Sequence, residues 1–170
     1  TTLFDMKRSK ELLLRWCDFS AFTPMMRTHE GNRPGDNWQF DGDADTIAHF
    51  ARMTTVFTTL KPYLKQAVAQ NARTGLPVMR PLFFDYHEDE EAWKHGDAYL
   101  FGPDILVSPV TEAGCTSKAV YLPKGADWRE VETGKVYAGG QTVNCETPLC
   151  VMPVFVREGA ELDWTLLKRR

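Results

Sequence analysis

Hydrophobic positions along this chain recur first at helical and then at strand spacing, and the change falls just after Gly75. Leu12, Leu13, Trp16 and Phe19 lie on one helical face, with Lys7, Arg8 and Lys10 on the other, which predicts a helix over 7–19 with Asp5 as its N-cap. Ile47, Phe50, Val56, Phe57, Leu60, Leu64 and Val68 mark a longer helix over about 45–73, capped by Asp43 or Asp45. Pro62 lies inside it and is expected to kink it or split it in two. Gly75 is the expected stop.

Between the helices runs FTPMMRTHEGNRP, residues 22–34. It opens on Phe22, Met25 and Met26 and ends in Arg27, Thr28, His29, Glu30, Asn32 and Arg33. An apolar run that stops abruptly in charge predicts a buried strand at 22–29 whose end opens either into a site or into a solvated loop. A loop over 31–43 follows, broken by glycine and proline and anchored by Trp38 and Phe40. A helix feeding such a strand needs parallel strands beside it. None precede it here, so the chain is expected to be the C-terminal part of a larger protein.

Beyond Gly75 the spacing shortens. PVMRPLFFDY (77–86) reads as a strand, and the acidic 87–97 as a helical turn at most. AYLFGPDILVSPV (98–110) reads as two strands broken at Gly102-Pro103. Strands over 118–125, 127–134, 141–147 and 151–159 follow at roughly ten-residue intervals. Together they predict an antiparallel sandwich or sheet, with the boundary near residue 76. Asp85, Tyr86, Glu88 and Asp89 are placed in solvent on the linking segment.

Composition narrows the class. The 170 residues carry 20 basic and 23 acidic side chains, a net charge of −3, with no basic stripe, so no nucleic-acid partner is expected. No apolar run is long enough to cross a bilayer, which argues against a membrane partner. Cys17, Cys115, Cys145 and Cys150 are scattered and read as reduced thiols of a cytoplasmic protein, with Cys145 and Cys150 able to pair. His29, His49, His87 and His95 have no metal-ligand spacing. No phosphate loop or GxSxG elbow is present, and no metal or cofactor is implied. His49 reads as structural, His87 and His95 as solvated, and Asp18 as a solvated or capping residue. The residues alone offer one site rim, Arg27, His29 and Glu30.

Six blocks in order carry a resemblance: LLLRWCDFSAFTPMMRTHE, RPLFFDY, GPDILVSPV, VYLPKG, TGKVYAGG and MPVFVREG. They resemble the C-terminal portion of glycoside hydrolase family 31, the α-glucosidase and α-xylosidase family. The resemblance implies α/β plus all-β architecture: residues 1–76 as the end of a (β/α)8 barrel and 77–170 as an antiparallel β-sandwich domain. Within the family, MMRTHEGNRPGDNWQF resembles the bacterial group that releases sulfoquinovose from α-sulfoquinovosides. Typical α-glucosidases read R-N-H-N where this chain reads Arg27-Thr28-His29-Glu30.

The family resemblance implies a retaining mechanism with two aspartates. Both lie before Thr1, so no catalytic residue is assigned in this chain and the isolated piece is expected to be inactive. His29 matches a histidine that hydrogen-bonds sugar hydroxyls, and Arg27 an arginine that fixes active-site carboxylates. Trp16 is expected to pack beneath the site, with Glu30 in an outer position. The implied partners are an α-glycoside and the remainder of the same enzyme, packed on residues 1–76, so exposed apolar surface is expected on both helical stretches. In the block WREVETG, Glu132 stands where the family usually has a tryptophan. The alternatives are an α-glucosidase or α-xylosidase, a carbohydrate-binding sandwich module without catalysis, and an inactive remnant kept for assembly.

Overall fold

A computed structural model describes residues 7–28 and 35–168. Among these, three α-helices come first. α1 spans Lys10–Ser20, and its cap is Ser9, whose Oγ accepts from the Leu12 N–H at 3.1 Å. The expected cap, Asp5, lies outside the described residues. The buried face of α1 is Leu13, Leu14 and Cys17, while Leu12 and Trp16 remain 39% and 58% exposed. Three consecutive leucines leave the rotation of the apolar stripe open. The inward partners of Arg15 and Asp18 decide it.

α2 (Ala44–Thr59) starts at Asp43, whose Oδ1 accepts from the Thr46 N–H at 2.8 Å. Leu60 ends it and begins α3 (Lys61–Thr74), with Pro62 in the first turn, where the missing N–H is not needed. The expected long helix is therefore split at its proline. Gly75 closes α3 at φ 77°, a left-handed conformation that favours glycine, and its N–H donates to Asn71 O at 2.8 Å.

The expected strand at 22–29 does not form over its described part. Residues 21–24 make turns and bends and 25–28 are irregular, because no described strand lies alongside to pair with them.

The remainder is antiparallel. β1 (Met79–Pro81), β2 (Tyr99–Phe101), β3 (Ile105–Val107), β5 (Asp127–Glu130), β6 (Val136–Ala138) and β8 (Val154–Arg157) form one sheet in the order β1-β2-β3-β8-β5-β6. β4 (Ser117–Leu122) and β7 (Gln141–Glu146) pair as a separate ribbon. β1 ends at Pro81 in a single 3-10 turn, so the ten-residue strand expected at 77–86 is three residues long. β6 is a strand that hydrophobic spacing did not mark.

Strand alternation builds two cores on the two faces of the sheet. Phe101, Ile105, Val107, Val154 and Val156 point to the helices and pack with Cys17, Ala21, Phe22, Met53, Val56 and Leu60. Leu100, Leu106 and Phe155, their neighbours in sequence, point to the ribbon and pack with Trp128, Val120, Leu122 and Val143. The register sets Leu100 opposite Leu106 and Leu106 opposite Phe155, one apolar row across three strands. Trp128 is fully buried, and its indole N–H donates to Pro123 O at 3.2 Å.

Three residues expected in solvent are not: Tyr86 is half-buried on the ribbon-side core, its ring 5.8 Å from that of Trp128, and Asp89 and His95 follow it inward. Asp89 is buried and accepts from Tyr121 Oη at 2.7 Å, the Lys124 N–H at 2.9 Å and the Glu91 N–H at 3.2 Å. Burial opposes its charge, but these donors hold its carboxyl below the ordinary range. His95 stacks on the Tyr121 ring at 4.7 Å and is half-buried, whereas His87 is exposed.

One buried side chain joins α1 to the loops of the β-rich part. Arg15 Nη1 donates to Pro148 O (3.2 Å) and Val151 O (3.1 Å), and Nη2 to Cys115 O (2.8 Å) and Thr147 O (2.9 Å). Glu11, one turn earlier, lies 3.6 Å from its Nε. Arg15→Met keeps the stem but strands buried carbonyls, so it is expected to lower stability by roughly 2–4 kcal/mol in urea unfolding followed by tryptophan fluorescence. A second expectation concerns Gly102, at φ 62°, where an added β-carbon would run into the Tyr63 hydroxyl and ring. Gly102→Ala combines left-handed strain with that clash and is expected to cost about 2 kcal/mol or more in the same assay.

Candidate functional site

The segment following α1 carries the polar rim, and the fold ties it at both ends. At the near end Phe22 is buried in the helix-side core. Its N–H donates to Phe19 O at 3.0 Å, and its carbonyl accepts from Tyr99 Oη at 2.8 Å. The Tyr99 ring meets Phe19 edge-on at 5.9 Å. Thr23 Oγ1 lies 2.9 Å from both Ser20 O and Met25 O and locks the turn. Beyond it the chain emerges, with Met25 69% exposed.

At the far end Trp38 is the anchor that its sequence position suggested. Its N–H donates to Arg8 O at 2.9 Å, Arg8 Nε donates back to Trp38 O at 3.0 Å, and its indole N–H donates to Thr46 Oγ1 at 3.2 Å. Lys10 sits 5.7 Å above its ring and 2.5 Å from Asp43. One end of the excursion is thus fastened near the end of α1 and the other near its start.

Of the four site residues read from the sequence, two are described. Arg27 is exposed. Trp16 is exposed and edge-on to Phe19 at 5.6 Å, on the rim of an apolar groove formed with Leu12, Pro109 and Val110. His29 and Glu30 lie outside the described residues. Among the described residues, no group of three or more His, Cys, Asp or Glu side chains is placed to hold a metal ion. All four cysteines are free, with Cys17 and Cys145 buried.

Sequence reasoning missed the polar strut behind the loop. Asp18, expected in solvent or at a cap, is buried, and its Oδ1 lies 2.8 Å from His49 Nε2 across the α1–α2 contact. Burial alone would lower the His49 pKa. The Asp18 carboxylate and the neighbouring Cys150 outweigh it and raise the value to about 9. Arg52 Nη2 is 3.1 Å from His49 Nδ1 and also donates to Cys150 O at 3.1 Å, so protonation at Nδ1 leaves Arg52 the carbonyl alone. The signal in the sequence was Asp18 beside Cys17 on the inward side of α1 and His49 on the inward side of α2. It reads correctly only once the rotation of both helices is fixed.

What the arrangement offers chemically is an exposed cation on a segment hydrogen-bonded at its base. Comparison with known proteins adds the rest. The family model described as the glycosyl hydrolases family 31 TIM-barrel domain matches residues 4–67, and that of the glycosyl hydrolase family 31 C-terminal domain matches residues 75–162. A sulfoquinovosidase of Escherichia coli (strain K12) is 64% identical over 167 residues, covering 98% of this chain and 24% of that protein. A sulfoquinovosidase of Agrobacterium fabrum is 50% identical over 157 residues, covering 92% of this chain and 24% of that protein. The solved structure of a family 31 sulfoquinovosidase from E. rectale, in complex with the aza-sugar inhibitor IFGSQ, superposes with a TM-score of 0.88 at 45% identity. It matches 95% of this chain and 24% of its own. The chain therefore spans about a quarter of the length of these relatives.

The Asp18–His49 pair makes a pH prediction. A raised folded pKa means that the pair's stabilisation is complete below the unfolded histidine value of about 6.5 and disappears as pH rises through about 9. The thermal midpoint is expected to fall across that window. Asp18→Asn is expected to lower the midpoint at pH 6 and to flatten the slope in a pH series of thermal melts.

Proposed function

Because this chain belongs to glycosyl hydrolase family 31, as the end of the family's TIM barrel followed by its antiparallel C-terminal domain, we propose that the whole protein is a retaining α-glycosidase that releases sulfoquinovose from α-sulfoquinovosides. The observation that carries the reading is the 64% identity to a sulfoquinovosidase over 98% of the chain. The second sulfoquinovosidase, at 50%, and the departure from R-N-H-N at Arg27-Thr28-His29-Glu30 support the same substrate.

In this reading residues 1–76 complete the barrel and 77–170 form the β-domain beside it. A retaining pair holds two carboxyls about 5–5.5 Å apart around one anomeric carbon. The rest of the protein supplies both, one as nucleophile and one as acid and then base. His29 hydrogen-bonds hydroxyls of the bound sugar. Arg27 receives the carboxylates through charge-assisted bonds and holds their orientation. Glu30 stands behind them, and Trp16 packs beneath. The remaining barrel covers the apolar faces of the helices, where Ile47 and Val68 stay 49% and 47% exposed and Leu12 and Trp16 are exposed as well. These 170 residues alone lack the catalytic pair and do not turn over substrate. The free thiols fit a cytoplasmic setting.

The test is hydrolysis of 4-nitrophenyl α-sulfoquinovoside and 4-nitrophenyl α-glucoside by the whole protein, by its His29→Ala variant and by the 170-residue piece. The expected outcome is turnover of the sulfosugar alone, a loss of roughly 10²-fold or more in the variant, and no turnover by the piece. Preference for the glucoside would move the protein to the α-glucosidases. Turnover by the piece would place the chemistry within these residues.

A further inference from the structure

We infer that Tyr99, on the β-domain, is a positioning residue for the loop that bears Arg27 and His29. The inference rests on the proposed function, since that reading is what makes the loop a substrate-binding element. Among the described residues, the Tyr99 hydroxyl provides the only hydrogen bond that reaches residues 22–28 from a distant element, across 77 positions of sequence. The other bonds of that segment are local, from Phe22, Thr23 and the end of α1. The tether is applied where the chain leaves the core: Phe22 is buried, and Met25 is already in solvent.

Its own mounting is stiff. Tyr99 stands in β2 opposite Val107 on one side and Pro81 on the other, and its ring is braced edge-on by Phe19. Packing alone would be served by phenylalanine. A half-buried hydroxyl needs a partner, and so does the carbonyl of a buried residue; each satisfies the other here at 2.8 Å. Burial pushes the phenol upward, so it remains a donor at any working pH. Without the hydroxyl the Phe22 carbonyl is orphaned, and the backbone leading to the rim gains freedom to shift. Displacements near 1 Å in a binding group are costly to turnover.

The experiment compares Tyr99→Phe with Tyr63→Phe in the whole protein. Tyr63 is a matched control: its hydroxyl also donates to a backbone carbonyl, Phe101 O at 2.9 Å, and accepts from the Asp104 N–H, and both partners lie outside residues 22–28. Steady-state constants on the accepted glycoside, thermal midpoints and amide hydrogen exchange over 20–28 are measured for both. Tyr99→Phe is expected to raise KM roughly three- to tenfold and to speed exchange over 20–28. Tyr63→Phe is expected to lower the thermal midpoint while leaving KM and that exchange within about twofold of the parent. Parental KM and parental exchange in Tyr99→Phe overturn the inference, as do equal changes in both variants, which would mark a general loss of stability. If the parent hydrolyses no α-glycoside, the proposed function fails, and the exchange measurement still decides whether Tyr99 holds the loop.

Discussion

Four carbonyl oxygens from the loops at 115 and 147–151 converge on one guanidinium, and the docking of α1 depends on that convergence. Loop carbonyls buried without donors cost free energy, and a planar group with five N–H donors in a fixed fork suits several at once. Arg15 therefore does more than fasten a helix. By entering those loops it fixes the rotation of α1. That rotation turns Leu13, Leu14 and Cys17 inward, directs Asp18 to His49, and leaves Leu12 and Trp16 outside.

The sheet provides the stiffness behind this arrangement. β3 and β8 are buried on both faces, so each residue in them except Arg157 at the end of β8 serves one core or the other. The site loop has little regular structure of its own over its described residues. Its placement is inherited from α1, from Trp38 at the far end and from a hydroxyl on β2 at the near end. An irregular segment held between regular elements is the usual division between loop and scaffold.

Much of this was legible in the sequence, and the failures have physical causes. Pro62 and Gly75 act through their own backbone chemistry, so the split helix and its stop could be read locally. The alternation of Leu100 with Phe101, and of Leu106 with Ile105 and Val107, survived folding because both faces of the sheet are apolar. The strand at 22–29 failed because a strand is a relation between two segments, and its described part has no neighbour to pair with. Arg15, Asp18 and Asp89 were misjudged or overlooked because charge suggests solvent. Most of their partners, which are backbone groups, a tyrosine hydroxyl and a histidine, lie far away in sequence. For the candidate site the residues alone marked a rim at Arg27, His29 and Glu30, and only the resemblance gave that rim roles: Arg27 is described but lies in a segment whose function its own contacts do not declare, and His29 and Glu30 are outside the described residues.

The helix-side core draws Cys17, Phe22, Met53 and Leu60 from before residue 76 and Phe101, Ile105, Val154 and Val156 from after it. A border that is sharp along the chain is therefore absent from the packing. Exchanging the β-rich part between related proteins by joining at that border would trade half of a shared interior, together with the carbonyls that receive Arg15. A functional chimera would have to carry α1, α2 and their contacting strands as one inherited block, and divergence on either side of the border is constrained by the other.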